Sequence, residues 1–102
     1  MSGSLWVDDC KPAPDGCAVA RNYDDALRLL RRFDYDTLYL DHDLGDHHRP
    51  ERTGYDLLKQ LIADNRVPAR VECISWNPVG VKRINNLLAQ FRPIPAPEKD
   101  NG

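Results

Sequence analysis

The chain has 102 residues, a formal net charge of −2, 41% hydrophobic and 29% charged residues. That length suits one small domain with its own core, and the composition excludes a disordered or fibrous chain. Without a basic surplus, neither an extended nucleic-acid surface nor an anionic membrane is expected as the main partner, so any phosphate ligand must be held by a local site. No apolar run reaches the length of a membrane span, and no secretory apolar region is present. Cys10, Cys17 and Cys73 form an odd set with no CxxC pair. They argue against structural zinc or a disulfide framework and fit a reducing cytoplasm.

Leu5-Trp6-Val7 reads as a short buried strand ending in Asp8-Asp9. A Pro- and Gly-bearing loop follows from Cys10 to Gly16, and Cys17 to Arg21 reads as a weaker second strand. Asn22 offers an N-cap with Asp25 three residues on, in the manner of a capping box. Ala26, Leu29, Leu30 and Phe33 then recur at helical spacing. Asp34 to Asp36 reads as a turn, and Thr37 to Leu40 as a third, central strand ending in Asp41-His42-Asp43.

A polar loop from Gly45 to Arg52 carries His47, His48 and Arg49. A second helix is expected from about Thr53, with Leu57, Leu58, Leu61 and Ile62 on one face and Val67-Pro68 ending it. Arg70 to Trp76 reads as a fourth strand. Asn77-Pro78 has the form of an N-cap and first helical residue, followed by an apolar stripe of Val81, Ile84, Leu87, Leu88 and Phe91. Residues 1–4 and 92–102 are expected to be flexible termini around a domain spanning residues 5–91.

Alternating strands and helices imply an α/β fold with a mostly parallel sheet. The first connection is unusual, since parallel neighbours ordinarily need a crossover of about a dozen residues. Seven extended residues from Cys10 to Gly16 can span ~23–25 Å, more than a five-residue strand of ~17 Å, so a parallel crossover is feasible. An antiparallel second strand is the competing geometry.

In open α/β sheets, ligands bind beyond the carboxyl ends of the strands. Asp8, Asp9, Asp41 and Asp43 fall at such ends, as do Ser75 and Asn77. A single Asp there commonly starts a turn. Acidic clusters on two neighbouring strands repel one another and call for a cation, and an oxygen-rich site suits Mg²⁺, or Mn²⁺, with phosphate and water completing its shell. Ser75 and Asn77 precede a helix N-terminus, which offers free N–H groups to an anion or serves as an ordinary cap. His42 is either a proton carrier with a pKa near neutrality or a packed side chain on the other side of the sheet. Lys11 could approach a phosphate, but a surface lysine is the default. Trp6 and Trp76 read as packing residues before base-stacking ones.

Taken in order, Leu5 to Pro14, Leu40 to Gly45, Thr53 to Leu58 and Ser75 to Gly80 resemble a receiver domain of the two-component type. More closely, the chain is similar to the small bacterial group of cyclic-phosphate processing receiver domains. The resemblance implies a truncated, flavodoxin-like three-layer sandwich of about four strands and three helices. It also implies that Asp8 and Asp9 hold Mg²⁺, that Asp41 stands where receivers accept a phosphoryl group, and that Ser75 contacts that group.

Two departures bear on function. The helix between the first two strands is replaced by Cys10 to Gly16, and the eleven residues after Phe91 are too few for a receiver's fifth strand, its phosphoryl-binding lysine and its last helix. With Asp43 and His42 added, the expected activity shifts toward Mg²⁺-dependent hydrolysis of a cyclic phosphate on a nucleotide, RNA end or ADP-ribose derivative. In that scheme Asp8, Asp9, Asp41 and Asp43 are metal ligands, Asp41, His42 and Asp43 are catalytic, and Ser75 and Asn77 hold phosphate oxygens. The alternative is a degenerate receiver phosphorylated on Asp41 that serves as a signalling or protein-binding module.

Overall fold

The computed structural model describes residues 3–44 and 53–91. In chain order the elements are β1 (Gly3–Val7), β2 (Cys17–Ala20), α1 (Tyr23–Arg32), β3 (Tyr35–Leu40), α2 (Gly54–Asp64), β4 (Arg70–Cys73) and α3 (Pro78–Phe91). The four strands form one sheet in the order β2-β1-β3-β4, and every neighbouring pair is parallel. This is the truncated receiver-like α/β arrangement. It also decides the direction of the second strand, whose Ala18 lies beside Leu5 and whose Ala20 lies beside Val7. Gly16, at a φ of 89° that side chains other than glycine's seldom adopt, turns the extended loop into β2.

Side-chain alternation sorts the sheet into two faces. Leu5 and Val7 of β1 stand beside Leu38 and Leu40 of β3, all fully buried. Ala26 and Leu30 of α1, Leu57, Leu58 and Leu61 of α2, and Ile84 of α3 close over them as one core. Each buried leucine contributes about 1.5–3 kcal/mol relative to exposure. The opposite face carries Trp6 and Tyr39, whose rings lie 5.5 Å apart. No described helix covers that face, so the described residues form two layers where three were expected. The reason is topological. The steps from β2 to β3 and β3 to β4 run the same way, and right-handed crossovers put α1 and α2 on one face. Only the reverse step from β1 to β2 would place a helix on the other face, and its loop has none.

The helix starts follow their local signals. Asn22 Oδ1 accepts from Asp25 N at 2.8 Å. Thr53 and Asp56 complete a reciprocal capping box. Asn77 Oδ1 accepts from Val79 N at 3.1 Å. Boundaries differ where a cap intervenes. Helix α2 stops at Asp64 because Asn65 takes the left-handed conformation, φ 56°, ahead of Val67-Pro68. Helix α1 stops at Arg32, and Phe33, expected on the apolar stripe, is its extended cap and half-exposed. Strand β1 begins at Gly3, within the expected flexible terminus, because Gly3 and Ser4 pair with β3. Strand β3 begins at Tyr35, inside the expected turn. Strand β4 ends at Cys73, before the expected Trp76, which frees Ser75 to Asn77 to turn into α3.

Two glycines seat the end of β3 against the helices. A Cβ at Gly54 would stand 2.0 Å from the Asp41 carbonyl oxygen, and one at Gly80 would meet His42 Cγ at 2.5 Å. Gly54 N also donates to His42 O at 2.8 Å. Because the Gly54 clash is with backbone, no rotamer change relieves it. Gly54→Ala should therefore destabilise the fold by about 2–3 kcal/mol, read as a fall in the denaturant midpoint at unchanged slope.

Candidate functional site

The sheet ladder continues past the ends of β1 and β3. Asp8 N donates to Ala20 O at 3.1 Å, Asp41 N to Val7 O at 2.9 Å, and Ile74 N to Leu40 O at 3.0 Å. Asp8 and Asp41 are thereby neighbours on adjacent strand ends, about 4.8 Å apart between strands. Asp8 is fully buried and Asp41 is 5% exposed. Asp8 Oδ2 accepts from the amides of Cys10, at 3.0 Å, and Lys11. Its Oδ1 is buried without a hydrogen-bond partner.

The two carboxyls titrate as a pair. Burial pushes the Asp41 carboxyl up to about 6, reinforced by its hydrogen bond to Asp8 and opposed by the Lys11 charge and the Ser75 hydroxyl. Burial acts on Asp8 in the same direction, but the hydrogen bond from Asp41 and the amides of Lys11 and Cys10 outweigh it and hold Asp8 below the ordinary range. Near pH 5 the pair therefore carries one proton, resident on Asp41 and directed at Asp8.

Lys11 is not a surface lysine. Its ammonium donates to Ile74 O at 2.6 Å and lies 3.9 Å from both Asp8 Oδ1 and Asp41 Oδ2. The side chain is 18% exposed. Arg21, just past β2, fastens the loop that delivers it, with Nη1 donating to Lys11 O at 2.6 Å. The Asp8-Asp9-Cys10-Lys11 spacing pointed toward Lys11, three residues from Asp8; what fixes its ammonium, Ile74 O, lies far along the chain, and nothing local marked Arg21.

The other expected site residues divide. Ser75 stands beside Asp41 and accepts from Asn77 N at 3.0 Å, so both line the start of α3. The Asn77 carbonyl oxygen is committed to the helix cap, which leaves its amide donors for other use. Asp9 is exposed, and its carboxylate groups with Asp8 and the Cys10 thiol within 4.8 Å. Hydrogen bonding to Asp9 pushes the Cys10 thiol up, which keeps it protonated and a poor ligand beside the carboxylates. His42 is 8% exposed and lies against Gly80 on the helix-bearing side. Its Nδ1 meets Asp43 Oδ1 at 3.2 Å, and its Nε2 is buried without a partner. The Asp43 side chain is 69% exposed. Thus Asp8, Asp41, Lys11 and Ser75 converge, Asp9 flanks them, and His42 with Asp43 forms a separate pair. The loop residues His47, His48, Arg49 and Arg52 lie outside the described residues.

The part of this set that suits a hard divalent cation is the carboxylate pair Asp8 and Asp9: Asp8 Oδ1 is an unsatisfied buried carboxylate oxygen and Asp9 adds a second carboxylate at the rim, while Asp41 lies outside that 4.8 Å group and meets Asp8 on the side that Lys11 shares. All are oxygen ligands of the kind Mg²⁺ and Mn²⁺ take.

Comparison with known proteins accords with this geometry. Residues 4–90 match the family described as Cyclic-phosphate processing Receiver domain. A 75-residue stretch covering 74% of the chain is 34% identical to human ADAMTS-like protein 5, of whose length it spans 14%. No solved structure matches. No helix among the described residues is long and apolar enough to cross a membrane. The match over residues 4–90, carried on a parallel sheet with paired acidic strand ends, makes this chain a member of the cyclic-phosphate processing receiver domain family.

Proposed function

We propose that the domain hydrolyses a cyclic phosphate, with a divalent cation held by Asp8, Asp9 and Asp41. The observation that carries this reading is the orphaned, buried Asp8 Oδ1 beside a carboxyl whose pKa is raised to about 6. Bound there, Mg²⁺ would neutralise phosphate charge and lower the pKa of a water ligand. The chain's own groups do the remainder. Lys11 and the Ser75 hydroxyl hold non-bridging oxygens, and the Asn77 amide with the free N–H groups at the start of α3 adds donors. Water adds to phosphorus, one ring P–O bond breaks, the freed oxygen takes a proton, and a phosphomonoester results. Asp41, whose carboxyl is pushed up to about 6, is the pocket's own carboxylate for taking the proton from water. His42, turned toward Gly80 and paired with Asp43, has no role in this scheme.

A second reading is favoured by the placement of Lys11 and Ser75 beside Asp41, the groups a phosphoryl acceptor needs. Acid-labile labelling by acetyl phosphate, lost in Asp41→Asn, would support it. Turnover of 2′,3′-cyclic nucleotides that stops on chelation, with no such labelling, supports hydrolysis.

Metal binding should be visible without turnover. At pH 7.5, Mg²⁺ at a hundred times its Kd should stabilise the protein by about 2.7 kcal/mol, read as a rise in Tm. The rise should shrink as pH falls through about 6, because Asp41 regains its proton, and should vanish in Asp8→Asn.

In the absence of metal the sign reverses. Asp41 has a folded pKa of about 6 against ~3.9 unfolded. The folded state then holds the extra proton, so this group's contribution to stability falls as pH rises from about 4 to 6. Asp41→Asn mimics the protonated form at every pH. It should stabilise the metal-free protein at pH 7 by on the order of 1–3 kcal/mol and flatten that slope in a denaturation series.

Lys11→Met should separate the two ligands. Inorganic phosphate should bind at least about tenfold more weakly, while the Mg²⁺-dependent rise in Tm persists because the carboxylates are intact. Calorimetry with phosphate at saturating Mg²⁺ checks this.

A further inference from the structure

We propose that Trp76 is a stacking platform for the base of a nucleoside phosphate, so that the ligand carries base and phosphate on the same ribose. The inference rests on the phosphate-pocket reading above and narrows its substrate class. Trp76 is 86% exposed, although a tryptophan is among the residues that gain most from burial. Packing therefore does not explain it, and the expectation that it is a core or rim packing residue does not describe its position.

The position is fixed from both sides. Ser75 Oγ accepts from Asn77 N at 3.0 Å, and Asn77 Oδ1 accepts from Val79 N at 3.1 Å. The indole is thus presented on a pinned turn, between a residue that touches Asp41 and the cap of α3. Lys11 links the ring to the pocket, its ammonium 4.5 Å from the ring centroid and 3.9 Å from Asp41 Oδ2. A single ammonium spans the gap between aromatic surface and acidic pair, the kind of separation that base and phosphate have within one nucleotide. The cation orders the ring before a ligand arrives, and it faces a phosphate once one is bound. Stacking on an indole tolerates any base, since every base has a π-face. Discrimination among bases is not expected. Discrimination against a phosphorylated ribose without a base is expected.

Calorimetry at saturating Mg²⁺ with adenosine 3′-monophosphate, cytidine 3′-monophosphate, ribose 5-phosphate and inorganic phosphate tests this. Both nucleotides should bind about ten- to a hundredfold more tightly than ribose 5-phosphate. The preference should disappear in Trp76→Ala and survive in Trp76→Phe. Because the side chain is exposed, the Tm of Trp76→Ala should match that of the unaltered protein, confirming that the variant is folded. Equal affinity for nucleotides and ribose 5-phosphate, with inorganic phosphate still bound, overturns the platform and leaves the phosphate pocket standing. A nucleotide preference that persists in Trp76→Ala also overturns it and returns the indole to another role, such as a protein contact. Failure of every probe, inorganic phosphate included, overturns the pocket reading itself.

Discussion

Two carboxyl groups stand side by side at the ends of adjacent parallel strands, with one of them wholly out of solvent. The register of β1 with β3 allows little else. Once Val7 pairs with Leu40 to bury the core, the next residues on each strand are Asp8 and Asp41, and both leave the core-facing side together. The repulsion is reduced below about pH 6 by a proton on Asp41, and at every pH by the amides of Cys10 and Lys11 and by the Lys11 ammonium. None of these satisfies Asp8 Oδ1. A buried carboxylate oxygen without a partner costs stability. On the proposed function, a divalent cation would remove that cost.

The loop in place of the first crossover helix has consequences for both the sheet and the pocket. It leaves the Trp6–Tyr39 face of the sheet without a described helix, and it runs directly over the strand ends. A helix would carry the chain away from the pocket. The short, proline-stiffened path instead delivers Lys11 into it, where Ile74 O and Arg21 hold the segment in place. The resemblance to receivers leads one to look for a phosphoryl-binding lysine on a fifth strand. Among the described residues Lys11 offers that charge from the opposite end of the chain. The missing helix and the placement of Lys11 beside the acidic pair thus arise from the same short connection.

Much of this was legible locally. The apolar runs ending in Asp8-Asp9 and Asp41-His42-Asp43, the caps at Asn22, Thr53 and Asn77, and the helix stripes are all statements about neighbours in sequence, and the fold follows them. What was not legible depends on distance along the chain. Lys11 meets Ile74, sixty-three residues on. His42 is set by Gly80, where only a missing side chain leaves room for the ring. Alternation did predict that His42 would leave at least one of its flanking carboxylates, and the ring indeed lies toward α3 while Asp41 meets Asp8. The exposure of Trp76 could not be read from its surroundings, because a strand ending at Cys73 and a strand ending at Trp76 have nearly the same local pattern.

On the proposed function, Asp8 and Asp41 share one proton below about pH 6 that a divalent cation displaces. Carboxyl ¹³C chemical shifts of aspartate-labelled protein, followed by NMR across pH 3–8 with and without Mg²⁺, measure it directly. Without metal, Asp41 should titrate at about 6 and Asp8 well below it; with saturating Mg²⁺ the step near 6 should move down and both should remain ionised at neutral pH. Two independent titrations near the ordinary carboxylate value, unchanged by Mg²⁺, would rule out the shared proton and the metal site together.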